Sequence, residues 1–280
     1  MSVKIMIDSA SDFSEEEAKK LGFLFMPIQV RFDGEEYMDG VDLLPSEFFN
    51  KLTSSKEMPQ TSLINSFRWN EAFENATKNG DKVVAITLSS KISGTYEAAV
   101  EASKSFGEKV FVVDSLNAAL GERLLGLYAL ELSKKTLSAK EIASLLNEQK
   151  SKIRLYAVID TLKYLKKGGR ISATTAFFGE MLSIKPIISV INGKVEVIGK
   201  VKGNKKGNQY IITKTEEAGG IDFDMPYGVL YSGNDKSNSD RFLEESKSIF
   251  AGNEPTNYVL GCTIGTHIGP GAVGIAFFAK

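Results

Sequence analysis

The amino-acid sequence predicts an α/β protein with two domains, and three observations lead to this fold class. The chain has 280 residues, which is more than one hydrophobic core usually serves. Short apolar runs alternate with helical patterns up to about Lys150, as in a three-layer α/β/α domain with a mostly parallel sheet. Beyond Lys150, hairpin signals mix with helices, which predicts an α+β domain with a mixed sheet. We place the domains at residues 1–152 and 153–280.

Each predicted element of the N-terminal domain rests on its pattern of apolar residues. Uninterrupted apolar runs indicate strands covered on both faces, and apolar residues that recur every three or four positions indicate helices. The predicted strands are Val3–Ile7, Phe23–Phe32 (broken near Pro27), Val83–Leu88 and Lys109–Val113. The predicted helices are Ser14–Leu21, Pro45–Leu52, Asn65–Asn79, Gly94–Phe106, Ala118–Lys134 and Ala139–Lys150.

The C-terminal domain is predicted by the same patterns and by one turn. Asn192-Gly193 separates two short apolar runs, and this dipeptide is a strong signal for a β-hairpin. The predicted strands are Leu155–Ile159, Ile187–Ile191, Val195–Ile198, Tyr227–Tyr231, Tyr258–Leu260 and Gly271–Phe278. The predicted helices are Ala173–Ile184, Lys205–Glu217 and Ser239–Phe250.

Composition restricts the possible partners and the compartment. The chain has 34 Lys and Arg against 35 Asp and Glu, so no overall field attracts nucleic acid. Cys262 is the only cysteine, which excludes an intramolecular disulfide and favours a reducing compartment. The N-terminus shows no secretory signal, and no apolar run is long enough to cross a bilayer. We therefore expect a soluble, cytoplasmic protein that does not bind nucleic acid.

A first candidate site lies at the end of the predicted strand Val83–Leu88. A hydroxyl-rich turn follows this strand, and a helical pattern begins at Gly94. In open α/β sheets, ligands bind outside the carboxyl ends of the strands, near the start of the next helix. Taken alone, Ser93 is more simply explained as the N-cap of that helix.

His267 is the only histidine of the chain, and it lies in Gly265-Thr266-His267-Ile268-Gly269-Pro270-Gly271. The glycines and the proline predict a constrained turn around a group that titrates near neutrality. A loop histidine bonded to backbone or water is an equally good explanation. Thr61 and Ser62 form a further hydroxyl pair, for which a turn or a helix cap is the simpler assignment. Gly168-Gly169-Arg170 fits either an anion cradle or an exposed turn.

Several familiar chemistries are absent from the sequence. It contains no dinucleotide fingerprint, no P-loop and no Gly-x-Ser-x-Gly. One histidine and one cysteine argue against zinc. Asp8, Asp12 and Asp114 follow predicted strands, where Mg²⁺ binding is conceivable, but turn capping is the ordinary role of such aspartates. We expect no metal and no cofactor.

In combination, the motifs resemble those of the DegV family over essentially the whole chain. The matching residues are Asp8-Ser9, Thr61-Ser62, Ser89-Ser90-x-Ile92-Ser93-Gly94-Thr95-Tyr96, Asp114-Ser115, Thr161-Leu162-x-Tyr164-Leu165-x-x-Gly168-Gly169-Arg170-Ile171-Ser172 and His267-x-Gly269-Pro270-Gly271. The resemblance implies a two-domain carrier without catalytic residues of its own. Such a carrier holds a long-chain fatty acid between its domains and presents the carboxylate to an ATP-dependent fatty acid kinase subunit, which makes acyl phosphate. Transient contact with a membrane surface is compatible with this function.

The resemblance also assigns roles to individual residues. The carboxylate of the fatty acid would be bound by Thr61, Ser62, Ser93, Gly94 and His267. Arg170 and Lys202 would face the kinase subunit or the phosphate. For the acyl chain, the candidate lining residues are Ile28, Phe177, Phe178, Met181 and Leu182, although plain core packing explains each of them as well.

Three positions depart from the family pattern. Lys91 replaces a usual glycine, Leu63-Ile64 replaces a usual Gln-Pro, and Lys202 replaces a frequent arginine, whose bidentate fork lysine cannot reproduce. Two other functions remain open at this point. A serine hydrolase acting on a lipid ester would need Ser93 within about 3 Å of the His267 imidazole and a third group that orients the ring. A structural interaction module would contain no extractable ligand.

Overall fold

The computed structural model describes residues 2–55, 57–171 and 183–280. In these ranges the strands are β1 (Val3–Asp8), β2 (Leu24–Met26), β3 (Gln29–Phe32), β4 (Glu35–Met38), β5 (Gln60–Ser62), β6 (Lys82–Thr87), β7 (Val110–Asp114), β8 (Ile153–Val158), β9 (Ile184–Ile191), β10 (Lys194–Lys202), β11 (Tyr227–Tyr231), β12 (Thr256–Val259) and β13 (Val273–Phe278). The helices are α1 (Glu15–Leu21), α2 (Pro45–Ser54), α3 (Ser66–Thr77), α4 (Thr95–Ser103), α5 (Leu120–Ser133), α6 (Ala139–Gln149), α7 (Lys163–Lys167), α8 (Asn204–Glu217), α9 (Ser237–Glu245), α10 (Lys247–Phe250) and α11 (Cys262–Ile268).

The first sheet has the strand order β2-β1-β6-β7, and all of its strands are parallel. Successive residues of β1 face opposite layers, as the period of a strand requires. Ile5 and Ile7 pack with α5 and α6, whereas Met6 packs with Trp69 of α3 and Ala99 of α4. This arrangement is the predicted three-layer α/β/α domain.

A small antiparallel sheet with the order β4-β3-β5 lies beside the first one. The break predicted near Pro27 in the strand region Phe23–Phe32 is confirmed, and the two parts, β2 and β3, belong to different sheets. The strand β5 is absent from the prediction, since Gln60-Thr61-Ser62 has no apolar alternation. Its backbone pairing with β3 places Thr61 opposite Val30.

The second sheet is mixed, with the strand order β10-β9-β8-β13-β11-β12. Its neighbouring strands are antiparallel except for the parallel pair β11 and β12. One face packs against α8 and α9 through residues such as Ile211 and Phe242. The predicted fold class is thus confirmed: a parallel α/β sheet and a separate mixed sheet.

Helix α5 lies between the two large sheets. Its buried residues Leu124 and Leu125 belong to one apolar cluster together with Ile7 of the first sheet and Phe278 of the second. The approach to β1 is close, because a Cβ atom on Gly126 would lie 2.5 Å from the Ile7 side chain. The proposed domain boundary after residue 152 falls where β8 begins, yet the core continues across it. No helix among the described residues has the length and apolar character needed to cross a membrane.

Three predicted elements of the C-terminal half differ from the structure. His267 lies in the last turn of helix α11 rather than in a turn, because the helix begins at Cys262 and continues to Ile268 before Gly269 ends it. The predicted helix Ser239–Phe250 is interrupted at Ser246, which separates α9 from α10. The predicted helix Ala173–Ile184 lies largely outside the described residues, and Ile184 itself begins β9.

We expect Leu124→Ala to lower the free energy of unfolding by about 2–5 kcal/mol, because the cavity would form in the core that both sheets share. Urea unfolding followed by circular dichroism measures this change. The control is Leu21→Ala, which alters a leucine that is 43% exposed. Equal losses in the two variants would contradict a core centred on α5.

Candidate functional site

The turn after β6 is shaped by backbone hydrogen bonds to buried carboxylates. The Leu88 N–H donates to Asp8 Oδ2 at 2.9 Å, and the Ser90 N–H donates to Asp114 Oδ1 at 3.2 Å. Asp8 also accepts the Ala10 N–H at 2.9 Å. These aspartates therefore cap turns, and their bonds fix the path of the chain towards Ser93.

Ser93 is placed directly before α4 but is not its N-cap residue, which is Gly94. Its hydroxyl accepts the Thr95 N–H at 3.2 Å and lies 3.0 Å from the Thr95 hydroxyl. Thr95 in turn accepts the Ile64 N–H at 3.3 Å. This chain of bonds ties the turn after β6 to the segment that follows β5.

Thr61 and His267 meet although 206 positions separate them. Pairing of β5 with β3 holds the Thr61 backbone, and helix α11 carries the imidazole. The Thr61 Oγ1 and His267 Nε2 atoms are 3.0 Å apart, which is a hydrogen-bond distance. The contact joins the N-terminal half of the chain to the C-terminal half.

The His267 ring is packed tightly on its other side. A Cβ atom on Gly168 would lie 2.2 Å from Nδ1, so only a glycine fits there. Burial, and secondarily the positive charge of Arg170, lower the pKa of His267 to about 4. The imidazole is therefore neutral at physiological pH.

Arg170 is held against this ring by backbone acceptors. Its Nη1 group donates to the Gly168 carbonyl at 2.6 Å, and its Nε group donates to the Ile92 carbonyl at 3.3 Å. The guanidinium therefore links the loop after α7 to the turn that carries Ser93. It adds a fixed positive charge beside the histidine.

These groups surround one polar cavity of about 220 Å³. All the predicted carboxylate-binding residues line it, and so does Arg170. The lining consists of Ile28, Thr61, Ser62, Leu63, Leu88, Ile92, Ser93, Gly94, Arg170, Thr263, Ile264 and His267. The structure thus brings residues from five distant stretches of sequence to one place.

A second cavity, with an apolar lining, adjoins the polar one. Its lining comes from both halves of the chain and consists of Ile92, Ala118, Ala119, Leu155, Ala157, Ile159, Leu165, Arg170, Ile188, Val190, Val195, Leu230, Leu260, Ile264, His267, Ile268 and Ala272. Ile92, Arg170, Ile264 and His267 line both cavities. Together they form an apolar slot with a polar end, and the described part of the slot encloses about 70 Å³.

The remaining candidates lie elsewhere. Ile28 lines the polar cavity rather than the apolar slot, and it is 3% exposed in the core around Trp69. Lys202 is exposed at the end of β10 and lines neither cavity. Lys91 has its side chain near Gly193, the tip of the β9–β10 hairpin. Phe177, Phe178, Met181 and Leu182 lie outside the described residues.

Sequence reasoning missed several residues of the lining. Thr263 and Ile264 precede His267 by about one helical turn, and this spacing would have pointed to them had a helix been predicted there. Leu155, Ala157 and Ile159 alternate along and just beyond β8, so they share one face of the sheet. Strand alternation alone does not say which face lines a cavity.

The geometry does not support a serine hydrolase. The group that contacts the imidazole is Thr61, whereas the Ser93 hydroxyl bonds to Thr95. Among the described residues, the His267 Nδ1 atom has no hydrogen-bond partner, so no carboxylate orients the ring. A catalytic triad requires both of these contacts.

Fold and site together define a two-domain α/β protein with an apolar slot that ends in hydroxyls, an imidazole and a guanidinium. The DegV family model matches residues 2–280 of the chain. A DegV domain-containing protein of Caldanaerobacter subterraneus is 36% identical over 284 residues, and the alignment covers 99% of each chain. The chain belongs to the DegV family.

Solved structures agree with this assignment. A DegV family protein from Thermus thermophilus, described for its fatty acid binding, superposes with a TM-score of 0.89 at 29% identity over 100% of both chains. DegV from Bacillus subtilis, described as a fatty acid binding protein, gives 0.86 at 30% identity, again over 100% of both chains. A stearic acid-binding protein from Eubacterium ventriosum gives 0.85 at 27% identity over 99% of this chain and 97% of the other.

We expect His267 of the ligand-free protein to titrate with a midpoint near pH 4, well below its ordinary range. Because the folded pKa is below the unfolded value, the unfolded state binds more protons between these pH values. The stability contribution of the neutral ring is complete above about pH 6.5 and is lost as the pH falls towards 4. Because the chain has one histidine, its two ring C–H resonances can be followed in an NMR titration without overlap from other histidines. A midpoint between pH 6 and 7 would show that the ring is not buried as described.

Proposed function

We propose that this protein binds a long-chain fatty acid, with the carboxylate in the polar cavity and the acyl chain in the apolar slot. The observation that carries the proposal is the shared wall of the two cavities, where His267 and Arg170 stand at the junction. A single ligand with a charged end and an apolar body matches this combination. The fatty acids named for the solved DegV proteins support the choice of ligand.

Hydrogen bonds to the carboxylate replace the water that it loses on entry. A buried carboxylate is costly unless such bonds are made. We assign the ring proton of His267 to Nε2, because Nδ1 faces Gly168 and an orphaned N–H is rare. The imidazole then donates to the Thr61 oxygen, and the Thr61 O–H is free to donate to the ligand. Ser93 supplies a second hydroxyl on the same cavity.

Arg170 supplies the opposite charge. A guanidinium carries five N–H donors, and within the described part of the chain the bonds to Gly168 and Ile92 occupy two of them. A charge-assisted bond to a carboxylate is about twice as strong as a neutral one. The fatty acid is therefore bound as the anion, and Arg170 contributes to head-group binding in addition to the role in partner contact that the family resemblance gives it.

The acyl chain supplies most of the affinity. Burial of a methylene group contributes about 0.8 kcal/mol, so a long chain contributes on the order of 10 kcal/mol before the costs of binding. The hydrogen-bonded polar end fixes the orientation of the ligand.

As a further part of the proposal, the protein acts as a carrier and the catalyst is an ATP-dependent fatty acid kinase subunit. The polar cavity holds the carboxylate beside the exposed residues Ser62 and Gly94, where a partner can reach it.

Leu63 and Phe67, which are 48% and 68% exposed, follow Ser62 and suit transient contact with a membrane surface. Lys202 remains a candidate for contact with the kinase. Among the described residues no catalytic triad competes with this function.

We expect the denatured protein to release free fatty acid in a ratio near one per chain, identified by mass spectrometry of the organic extract. The native protein should not hydrolyse p-nitrophenyl esters, because His267 contacts Thr61 rather than Ser93. Ester turnover that Ser93→Ala abolishes would favour the hydrolase. A protein that yields no lipid and binds no added palmitate would favour a structural module.

We expect Ser93→Ala and His267→Ala to impair acyl-phosphate formation by the kinase subunit more than they impair fatty-acid retention. These groups orient the carboxylate, whereas the slot holds the chain. Radiolabelled phosphate transfer measures the first property and lipid extraction the second. Ser90→Ala is the control, because Ser90 lies in the same turn but outside the described lining. Unchanged phosphate transfer in both site variants would overturn the head-group assignment.

A further inference from the structure

Helix α11, which carries His267, begins against two buried carboxylates of the N-terminal half. The Cys262 N–H donates to Asp39 Oδ1 at 2.9 Å, and the Thr263 N–H donates to Asp39 Oδ2 at 3.1 Å. The Gly261 N–H donates to Asp12 Oδ1 at 2.8 Å. Three successive backbone donors are thus bound by side chains that lie more than 220 positions away in the sequence.

These bonds provide acceptors for backbone N–H groups that have no acceptor within the helix. The first N–H groups of a helix have no partner within it, and the partial positive charge at that end favours an anion. Asp39 is 1% exposed and Asp12 is 8% exposed, so water does not compete strongly for either side chain. The carboxylates therefore define where α11 begins and how it is oriented.

The surroundings show that these carboxylates are held in place themselves. The Asp39 N–H donates to the Ile28 carbonyl at 3.0 Å, directly after β4. Arg123, which is 2% exposed, donates to the Asp12 carbonyl at 2.9 Å and places its guanidinium between the rings of Phe13 and Tyr258. Burial raises the pKa of Asp12 well above its ordinary value, and the bond from the Gly261 N–H and the charge of Arg123 oppose this shift.

The other end of the helix brings the imidazole to Thr61. Between Cys262 and His267 there is little more than one turn, so a tilt at the first residue moves the ring directly. The helix packs closely along its length, because a Cβ atom on Gly265 would lie 2.8 Å from the Phe48 ring. Displacement of α11 from the N-terminal half would therefore separate His267 Nε2 from Thr61 Oγ1.

We propose that Asp39, assisted by Asp12, is a positioning residue for the carboxylate-binding site. It binds the start of α11 across the domain boundary and thereby sets the Thr61–His267 contact. Only the predicted effect on ligand binding rests on the proposed function. The geometric part, the position of the imidazole, holds for the protein without ligand.

The test is Asp39→Asn in the full-length protein, stripped of lipid. Asparagine accepts one of the two N–H groups but turns its own NH₂ towards the other, so α11 loses one bond and gains a repulsive contact. We expect the His267 resonance to shift and its titration midpoint to rise from near pH 4 towards the ordinary histidine range. In calorimetric titration with palmitate, the Kd should rise about tenfold.

The matched control is Asp42→Asn, in the same loop. Asp42 Oδ1 accepts the Met38 N–H at 2.6 Å, so this variant removes a charge and weakens a similar bond without touching α11. It should leave the His267 titration and palmitate affinity unchanged. Should Asp39→Asn fail to fold, Asp12→Asn decides the matter. It weakens the Gly261 bond at the start of α11 and should move the His267 midpoint in the same direction.

An unchanged His267 titration in the folded aspartate variants would overturn the proposal, even where stability falls. If the His267 resonance shifts in Asp39→Asn but the wild-type protein binds no palmitate, the positioning role is supported and the proposed ligand is refuted. The two failures are therefore distinguishable.

Discussion

The site depends on one contact, the hydrogen bond between Thr61 and His267, because it closes the polar end of an otherwise apolar slot. Thr61 comes from a three-residue strand of the N-terminal half, and His267 comes from a seven-residue helix of the C-terminal half. Neither element is stable alone, since so short a helix or strand needs tertiary packing. The contact therefore exists only when the two halves are assembled around α5. The geometry of this site therefore depends on how the two halves of the chain pack together.

Buried ionisable groups occur at several points of the structure, and hydrogen bonds or neighbouring charges act on each of them. Burial raises the pKa of Asp8 to about 7, while its bonds to the Leu88 and Ala10 N–H groups oppose the shift. Burial also raises the pKa of Glu122 well above its ordinary value, with the charge of Asp8 as a second cause. Around the slot, by contrast, the desolvated ring of His267 stays neutral, and the positive charge is supplied by Arg170. The positive charge of this guanidinium makes the cavity attractive to an anion.

The parts of the structure that follow from local pattern could be predicted from sequence. The buried strand, hydroxyl turn and helix around Ser93 were predicted because a strand end and a helix start are local signals. Strand β5 was not, since the polar residues Gln60–Ser62 are extended only through pairing with β3. Helix α11 was not predicted either. Gly265 within α11 disfavours a helix in isolation, and the N–H bonds to Asp12 and Asp39 that stabilise α11 arise from distant residues. The family resemblance placed Thr61 and His267 in one site, but the contact between their side chains depends on the tertiary structure and could not be predicted.

The environment of His267 is unsuited to nucleophilic catalysis. A serine nucleophile needs a base whose second nitrogen is held by an acceptor, and burial against Gly168 leaves Nδ1 of His267 without one among the described residues. Arg170 lowers the basicity of that ring further. A weakly basic, fixed imidazole is a poor proton acceptor but a good hydrogen-bond donor to Thr61. The donors that this end of the slot presents match an anionic oxygen, and under the proposed function the catalytic groups would come from a partner.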